Sequence, residues 1–189
     1  MMHHLQIVIA STRPTRVGPP IASWFLAQAE RHAKFEIELV DLAQVNLPMF
    51  DEPRHPRLRQ YEHEHTKAWS RVVARGDAFV FVTPEYDHGP PPSLVNALDY
   101  LVHEWAYKPV AFVSYGGVSA GVRSVAIMKD IVTALKMMPM VETVALPFFG
   151  QYLNSDKRIF SPPAMQDEAA IVMLHELLKW TNALRSMRD

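Results

Sequence analysis

Phe79-Val80-Phe81-Val82-Thr83-Pro84-Glu85-Tyr86-Asp87-His88-Gly89-Pro90-Pro91-Pro92-Ser93-Leu94-Val95-Asn96-Ala97-Leu98-Asp99-Tyr100 is the stretch that decides the fold. Its first four residues are apolar without interruption, so they predict a strand buried on both faces of a parallel sheet. Thr83 to Pro92 reads as a loop stiffened by Pro84 and by the Pro90-Pro91-Pro92 run, and Ser93 to Tyr100 as a helix. Tyr86 with the acids Glu85 and Asp87 follows the carboxyl end of this strand, the place where open α/β sheets bind their ligands.

Working outward, the chain alternates strand and helix. Leu5–Ala10 predicts a first strand and Ser11–Pro20 a polar loop; Ile21–His32 has the apolar spacing of an amphipathic helix. Phe35–Val40 alternates apolar and acidic residues, as a half-exposed edge strand does. Asp41–Pro56 is a long connection carrying three prolines, a class of loop that is often functional. Arg57–Arg75 reads as a charged helix closed by Gly76. The helix that begins at Ser93 is read on through Trp105. Pro109–Ser114 is a further buried strand, Tyr115–Gly121 a glycine-bearing loop, Val122–Met137 a helix and Met140–Leu146 a fifth strand. Pro147–Pro163 reads as irregular, and Met165–Met187 as a closing amphipathic helix. Five strands joined by right-handed helical crossovers make a doubly wound parallel sheet.

Composition narrows the function. The 189 residues are 49% hydrophobic with a formal charge of −1, enough apolar material for one core and one domain over 1–189. Without a block of like charge, nucleic acid and membrane surfaces are not the expected partners. There is no cysteine, which excludes disulfides, thiolate catalysis and cysteine-ligated metal. Neither a signal-like segment nor a membrane-length apolar run is present, so the expectation is a soluble, cytoplasmic protein without membrane insertion.

Three loops after central strands carry the chemistry. Ser11-Thr12-Arg13-Pro14-Thr15-Arg16-Val17-Gly18 combines hydroxyls, two guanidinium groups and backbone amides ahead of a helix, a setting that favours a phosphate. A helix cap with solvated arginines is the plainer alternative, and spacing leaves both open. In Pro84-Glu85-Tyr86-Asp87, prolines hold a stiff backbone ribbon that suits a flat heterocycle covered by Tyr86; an ordinary half-buried tyrosine beside a capping acid fits as well. Glycines in Ser114-Tyr115-Gly116-Gly117 let backbone approach a ligand closely. Together these loops would surround a phosphorylated planar ligand.

Ser11-Thr12-Arg13-Pro14 with Arg16, Leu47–Pro53, Pro84-Glu85-Tyr86, Asn96–Tyr100 and Lys108–Val110 through Ser114–Gly117 resemble the NAD(P)H-dependent FMN reductases, a flavodoxin-like family that includes quinone, azo-dye and chromate reductases. The resemblance implies a flavodoxin-like three-layer sandwich, a five-stranded parallel sheet in the order 2-1-3-4-5 with helices on both faces. It implies bound, non-covalent FMN, with Ser11, Thr12, Arg13 and Arg16 at its phosphate. Pro84, Glu85, Tyr86 and Asp87 would lie along the isoalloxazine, and Ser114, Tyr115, Gly116 and Gly117 near its pyrimidine end and ribityl chain. NADPH or NADH would reduce the flavin in a ping-pong cycle that ends on a quinone, azo compound, metal oxyanion or free flavin. The chemistry then resides on the cofactor, with no catalytic side chain and no metal required. A homodimer built on the Ser93–Trp105 helix, with pairing of dimers into a tetramer as a further stage, is also implied.

The departures are Ala10 in place of a frequent glycine, Asp87 in place of asparagine, Val95 in place of a frequent lysine, and the Pro90–Pro92 run. An ionised Asp87 near the flavin would lower its potential unless it faces solvent. Glu62, His63, Glu64 and His65 suggest a metal only superficially, because residues two apart on a helix do not share a face. Trp24, Trp69, Trp105 and Trp180 suit core or interface. A flavodoxin-type electron carrier and a cofactor-free binding or regulatory protein are the competing readings.

Overall fold

The computed structural model describes residues 2–188. Strands β1 (His3–Ile9), β2 (Phe35–Asp41), β3 (Ala78–Pro84), β4 (Pro109–Gly116) and β5 (Met138–Pro147) pair in parallel in the order β2-β1-β3-β4-β5. This is the expected flavodoxin-like order. The helices are α1 (Gly18–His32), α2 (Leu42–Val45), α3 (Glu64–Arg75), α4 (Pro92–Asp99), α5 (Val122–Ala134) and α6 (Ala164–Leu184).

Strand periodicity divides the apolar runs between two cores. On one face Ile7, Ile9, Val80, Val82 and Val113 pack against Ile21, Phe25 and Ala29 of α1 and Met173, Leu174 and Leu177 of α6. On the other, Phe79, Phe81 and Phe112 meet Trp69 and Val73 of α3, Leu94 and Leu98 of α4, and Met128 and Val132 of α5. The aromatic face is built edge-on, with Phe79–Trp105 centroids 5.0 Å apart and Phe81–Phe112 5.9 Å apart. Each such burial contributes roughly 1.5–3 kcal/mol relative to exposure. β2, half-exposed, is the edge strand the sequence suggests.

Several helix boundaries differ from expectation: α5 ends at Ala134 rather than Met137 and α6 at Leu184 rather than Met187, and three others differ for a local reason. α1 starts at Gly18 rather than Ile21, because Pro19 and Pro20 have the fixed φ and missing N–H that a first helical turn tolerates. α3 starts at Glu64 rather than Arg57. Glu52 accepts the Glu62 and His63 amides at 2.9 and 3.1 Å, diverting them from a helical ladder, and Pro56–Leu58 forms only a 3-10 turn. α4 stops at Asp99, and the chain folds back so that Trp105 is buried against Trp69. The long connection after β2 is strapped to α4: Asn96 donates to Pro48 O at 2.7 Å and accepts from Phe50 N at 2.8 Å, while the Tyr100 hydroxyl reaches Asp51 Oδ1 at 2.9 Å.

Between α1 and α6, His32 is 9% exposed with neither ring nitrogen partnered, stacked on Phe35 and 4.7 Å from the His175 ring. Burial, then His175 and Lys34, push it below its ordinary value of 6.5. The fold therefore prefers neutral His32, and its contribution is complete above the unfolded value and lost as pH falls through the folded one. His32→Gln is expected to flatten the fall in melting temperature between pH 7 and pH 5, read by circular dichroism; an unaltered slope would refute the assignment.

Candidate functional site

The carboxyl ends of β1, β3, β4 and β5 open onto a cavity of about 550 Å³, within the usual range for a cofactor site. Arg13, Thr15, Arg16 and Val17 form one wall, Pro84, Glu85 and Tyr86 a second, and Tyr115, Gly116 and Gly117 a third. The fourth comes from the β5–α6 connection through Phe149, Gly150, Leu153, Asn154 and Lys157.

In the first loop Arg16 N–H donates to Arg13 O at 3.0 Å, and among the described residues no other amide of residues 11–17 has a protein acceptor. Prolines 19 and 20 carry no N–H, so the first turn of α1 offers an anion only the Gly18 amide, and the other available donors belong to the loop. The two arginines part company. Arg16 forms a fork on Asp41 at the end of β2, with Nη1 and Nη2 to the two carboxylate oxygens at 2.5 and 2.6 Å, and also donates to Ser11 O at 2.8 Å. Those hydrogen bonds hold its pKa above the usual arginine value, so it braces the loop as an already neutralised pair. Arg13 instead lies over the Tyr86 ring, 5.8 Å from its centroid. Thr12 faces a neighbouring depression beside Leu42 and Ser93. Ser11 is buried under Gly18, where a Cβ would stand 2.4 Å from its Oγ.

Glu85 lines the cavity with its carboxylate engaged by α5, and Asp87 lies off the cavity walls. The Glu85 carboxylate accepts from Ser119 Oγ at 2.9 Å, from Arg123 N at 3.1 Å and from Arg123 Nη1 at 2.7 Å, at the amino end of α5. Burial pushes its pKa up, but these bonds together hold it below the usual carboxylate range. What the cavity receives is the Pro84–Tyr86 ribbon. Tyr86 and Gly89 exchange N–H to O bonds of 2.9 and 2.8 Å across a turn whose central residues, Asp87 and His88, have φ of 47° and 68°. Asp87 is exposed at its tip, outside the cavity wall, so its charge is screened by solvent.

Among the described residues the buried Ser114 hydroxyl has no protein partner, and the Ser11 and Tyr115 hydroxyls lie together against Gly18 with no other partner than each other; in native proteins buried hydroxyls call for partners. Gly117 supplies the opposite feature: a Cβ there would meet nothing within 4 Å, so its backbone is open to a flat group. Free amides, an unneutralised Arg13, an orphaned hydroxyl and an open peptide face fit a phosphorylated planar cofactor. The model for the family described as NADPH-dependent FMN reductase matches residues 4–151. The chain belongs to the NADPH-dependent FMN reductase family.

It is 42% identical over 145 residues to an NAD(P)H-dependent FMN reductase of Schizosaccharomyces pombe, covering 75% of this chain and 72% of that one. It is 33% identical over 153 residues to an NAD(P)H-dependent FMN reductase of Nectria sp., covering 78% and 76%. In three dimensions it is similar to FerB of Paracoccus denitrificans, a flavoenzyme NAD(P)H:acceptor oxidoreductase, with a TM-score of 0.75 and 16% identity over 96% of this chain and 98% of that one, a likeness of fold. This FMN reductase is thus an oxidoreductase of a family that uses FMN and NAD(P)H.

Of the residues expected at the site, Arg13, Arg16, Pro84, Glu85, Tyr86, Tyr115, Gly116 and Gly117 line this cavity. Ser11 and Ser114 lie buried, and Thr12 and Asp87 off its walls. Two features escaped the sequence reading. Asp41 shows as a partner for Arg16 only once β2 lies beside β1. The fourth wall had a weak signal, Asn154-Ser155-Asp156-Lys157 between aromatic Tyr152 and Phe160, which is hairpin-like punctuation. His63 and His65 correct another expectation: His63 precedes α3 with extended backbone, so the two rings stack 5.1 Å apart and both reach Asp51. Among the described residues no group of side chains there could hold a metal.

Replacing Gly117 by Leu puts a side chain where a Cβ meets nothing within 4 Å and so covers the open peptide face. FMN affinity, measured by fluorescence titration, is expected to fall about tenfold or more while the melting temperature stays within about 2 °C. Unchanged affinity would mean that the flavin does not lie against Gly117.

Proposed function

We propose that the chain is a single-domain, FMN-dependent NAD(P)H oxidoreductase that uses one cavity in turn for donor and acceptor, a ping-pong sequence ending on quinones, azo compounds, metal oxyanions or free flavin. The observation that carries this reading is the open wall at Gly117, facing the same cavity as Tyr86: an exposed peptide plane and an aromatic ring suit successive flat molecules. Bound FMN supplies the hydride chemistry. The chain's residues bind and orient. The loop amides of residues 12–17 and Arg13 take the phosphate, and Tyr86 borders the ring system. Glu85, anchored on Ser119 and Arg123, keeps the Pro84–Tyr86 ribbon still. Arg16 and Asp41 hold the phosphate loop against the edge of the sheet.

A homodimer, extending to a tetramer, and a cytoplasmic location complete the reading. Met49 and Phe50, strapped to α4 by Asn96, are 75% and 40% exposed, which supports an apolar face shared between copies. Among the described residues no helix is long and apolar enough to cross a membrane, and the nucleotide donor is an intracellular metabolite. Sedimentation at micromolar concentration is expected to give a dimer, and a monomer would remove that part.

The deciding experiment is a visible spectrum of the purified protein with added FMN, followed by anaerobic NADPH and NADH. A bound-flavin spectrum that bleaches with either nucleotide is expected. Bound flavin that stays oxidised would indicate an electron carrier, and no flavin binding would overturn the enzyme.

A further inference from the structure

The β5–α6 connection is a built element. Residues 152–161 form a hairpin: Leu153 bridges Phe160, Asn154 N–H donates to Ile159 O at 3.0 Å, and Ser161 N–H to Tyr152 O at 2.9 Å. Asn154 Oδ1 ties the tip by accepting the Arg158 and Ile159 amides, each at 2.9 Å. Its base is fastened to the body by Phe160, buried and edge-on to Trp24 at 5.7 Å. Held this way, Lys157 adopts the left-handed conformation, with φ of 57°, and lines the cavity. A non-glycine residue kept there at a ligand cavity is a pointer to function.

The cavity's cations can be assigned one at a time. Arg16 is neutralised by Asp41. Arg13 sits in the loop whose free amides serve the FMN phosphate. Lys157 remains: it makes no ion pair among the described residues, whereas its neighbour Arg158 leans on Asp156 at 4.0 Å. It stands on a different wall from the phosphate loop, so a second anion is the natural partner for its charge. NADPH differs from NADH only in a terminal, dianionic 2′-phosphate, and a lysine at the end of a flexible stem binds phosphate as a point charge.

We propose that Lys157, presented by the 152–161 hairpin, binds the 2′-phosphate of the donor and makes the enzyme prefer NADPH to NADH. This rests on the proposed reading of the cavity as the site shared by FMN and donor. The contact lies at the rim, so the preference weakens as salt rises.

The test uses the FMN-loaded protein. The ratio of kcat/KM for NADPH over NADH is measured in parallel with calorimetric titration of adenosine 2′,5′-bisphosphate against adenosine 5′-monophosphate, each at low and high salt. The wild type is expected to favour the 2′-phosphorylated member about tenfold in both assays. Lys157→Gln is expected to bring both ratios close to one and to abolish their salt dependence. Lys157→Arg should restore the preference, and Arg158→Gln should leave it in place. Equal ratios for the wild type and Lys157→Gln would overturn the inference. So would a Lys157→Gln variant that weakens FMN binding and slows both donors alike, since Lys157 would then serve the cofactor's phosphate. A protein that takes up no FMN overturns the cavity reading, and this inference with it, at the loading step; a loaded enzyme with unaltered ratios overturns this inference alone.

Discussion

The parallel pairing of β1 with β3 is the constraint on which the remaining architecture depends. From β1 the chain crosses by α1 to β2 on one side, then by α3 to β3 on the other, so the loops leaving β1 and β3 diverge. A crevice at their carboxyl ends is the geometric result, and α/β proteins bind ligands at such reversals. β4 and β5, added on the β3 side, supply the remaining walls. Ala10 N–H bonding to Val82 O at 3.0 Å continues the pairing to the mouth of the crevice.

Ion pairs at its margins keep the crevice in shape. Arg16 and Asp41 are 17% and 10% exposed, and a pair this dry is costly to break because the surviving charge loses its partner, by about 3–5 kcal/mol in comparable cases. Glu85 repeats the device on the far side, fastening the β3 loop to α5. Asp41 and Glu85 thus each fix one loop of the crevice through an ion pair. Below the sheet's other end, Lys108 is buried and donates to the Val73 and Ala74 carbonyls at the end of α3; burial, and then Arg188, push it down to about 8.

Most of the fold was legible because its determinants are local. The uninterrupted apolar run at Phe79–Val82, the alternation in Phe35–Val40 and the proline and glycine punctuation each report on backbone within a few residues. The walls built from Arg13, Tyr86 and Gly117 were legible for the same reason. What escaped depends on contacts distant in sequence: Arg16 with Asp41, Glu85 with Arg123, and the diversion of the Glu62 and His63 amides to Glu52. For the acids of the β3 loop the sequence leaves ligand contact, helix capping and solvent exposure open, and only the tertiary fold shows that Glu85 accepts from the amino end of α5 while Asp87 is exposed. The hairpin at 152–161 has tight-turn residues but short flanks, and short flanks carry little periodicity.

The adjacent prolines that open α1 have a thermodynamic consequence. An ordinary helix start offers an anion rigid donors that exist whether or not the anion is there. Here all but the Gly18 amide belong to a short loop braced by the Arg16–Asp41 ion pair, so an anion held there under the proposed reading would be linked to the stability of that loop. Cofactor then acts as a structural ligand, stabilising the native state by about 2.7 kcal/mol at a hundredfold excess over its dissociation constant.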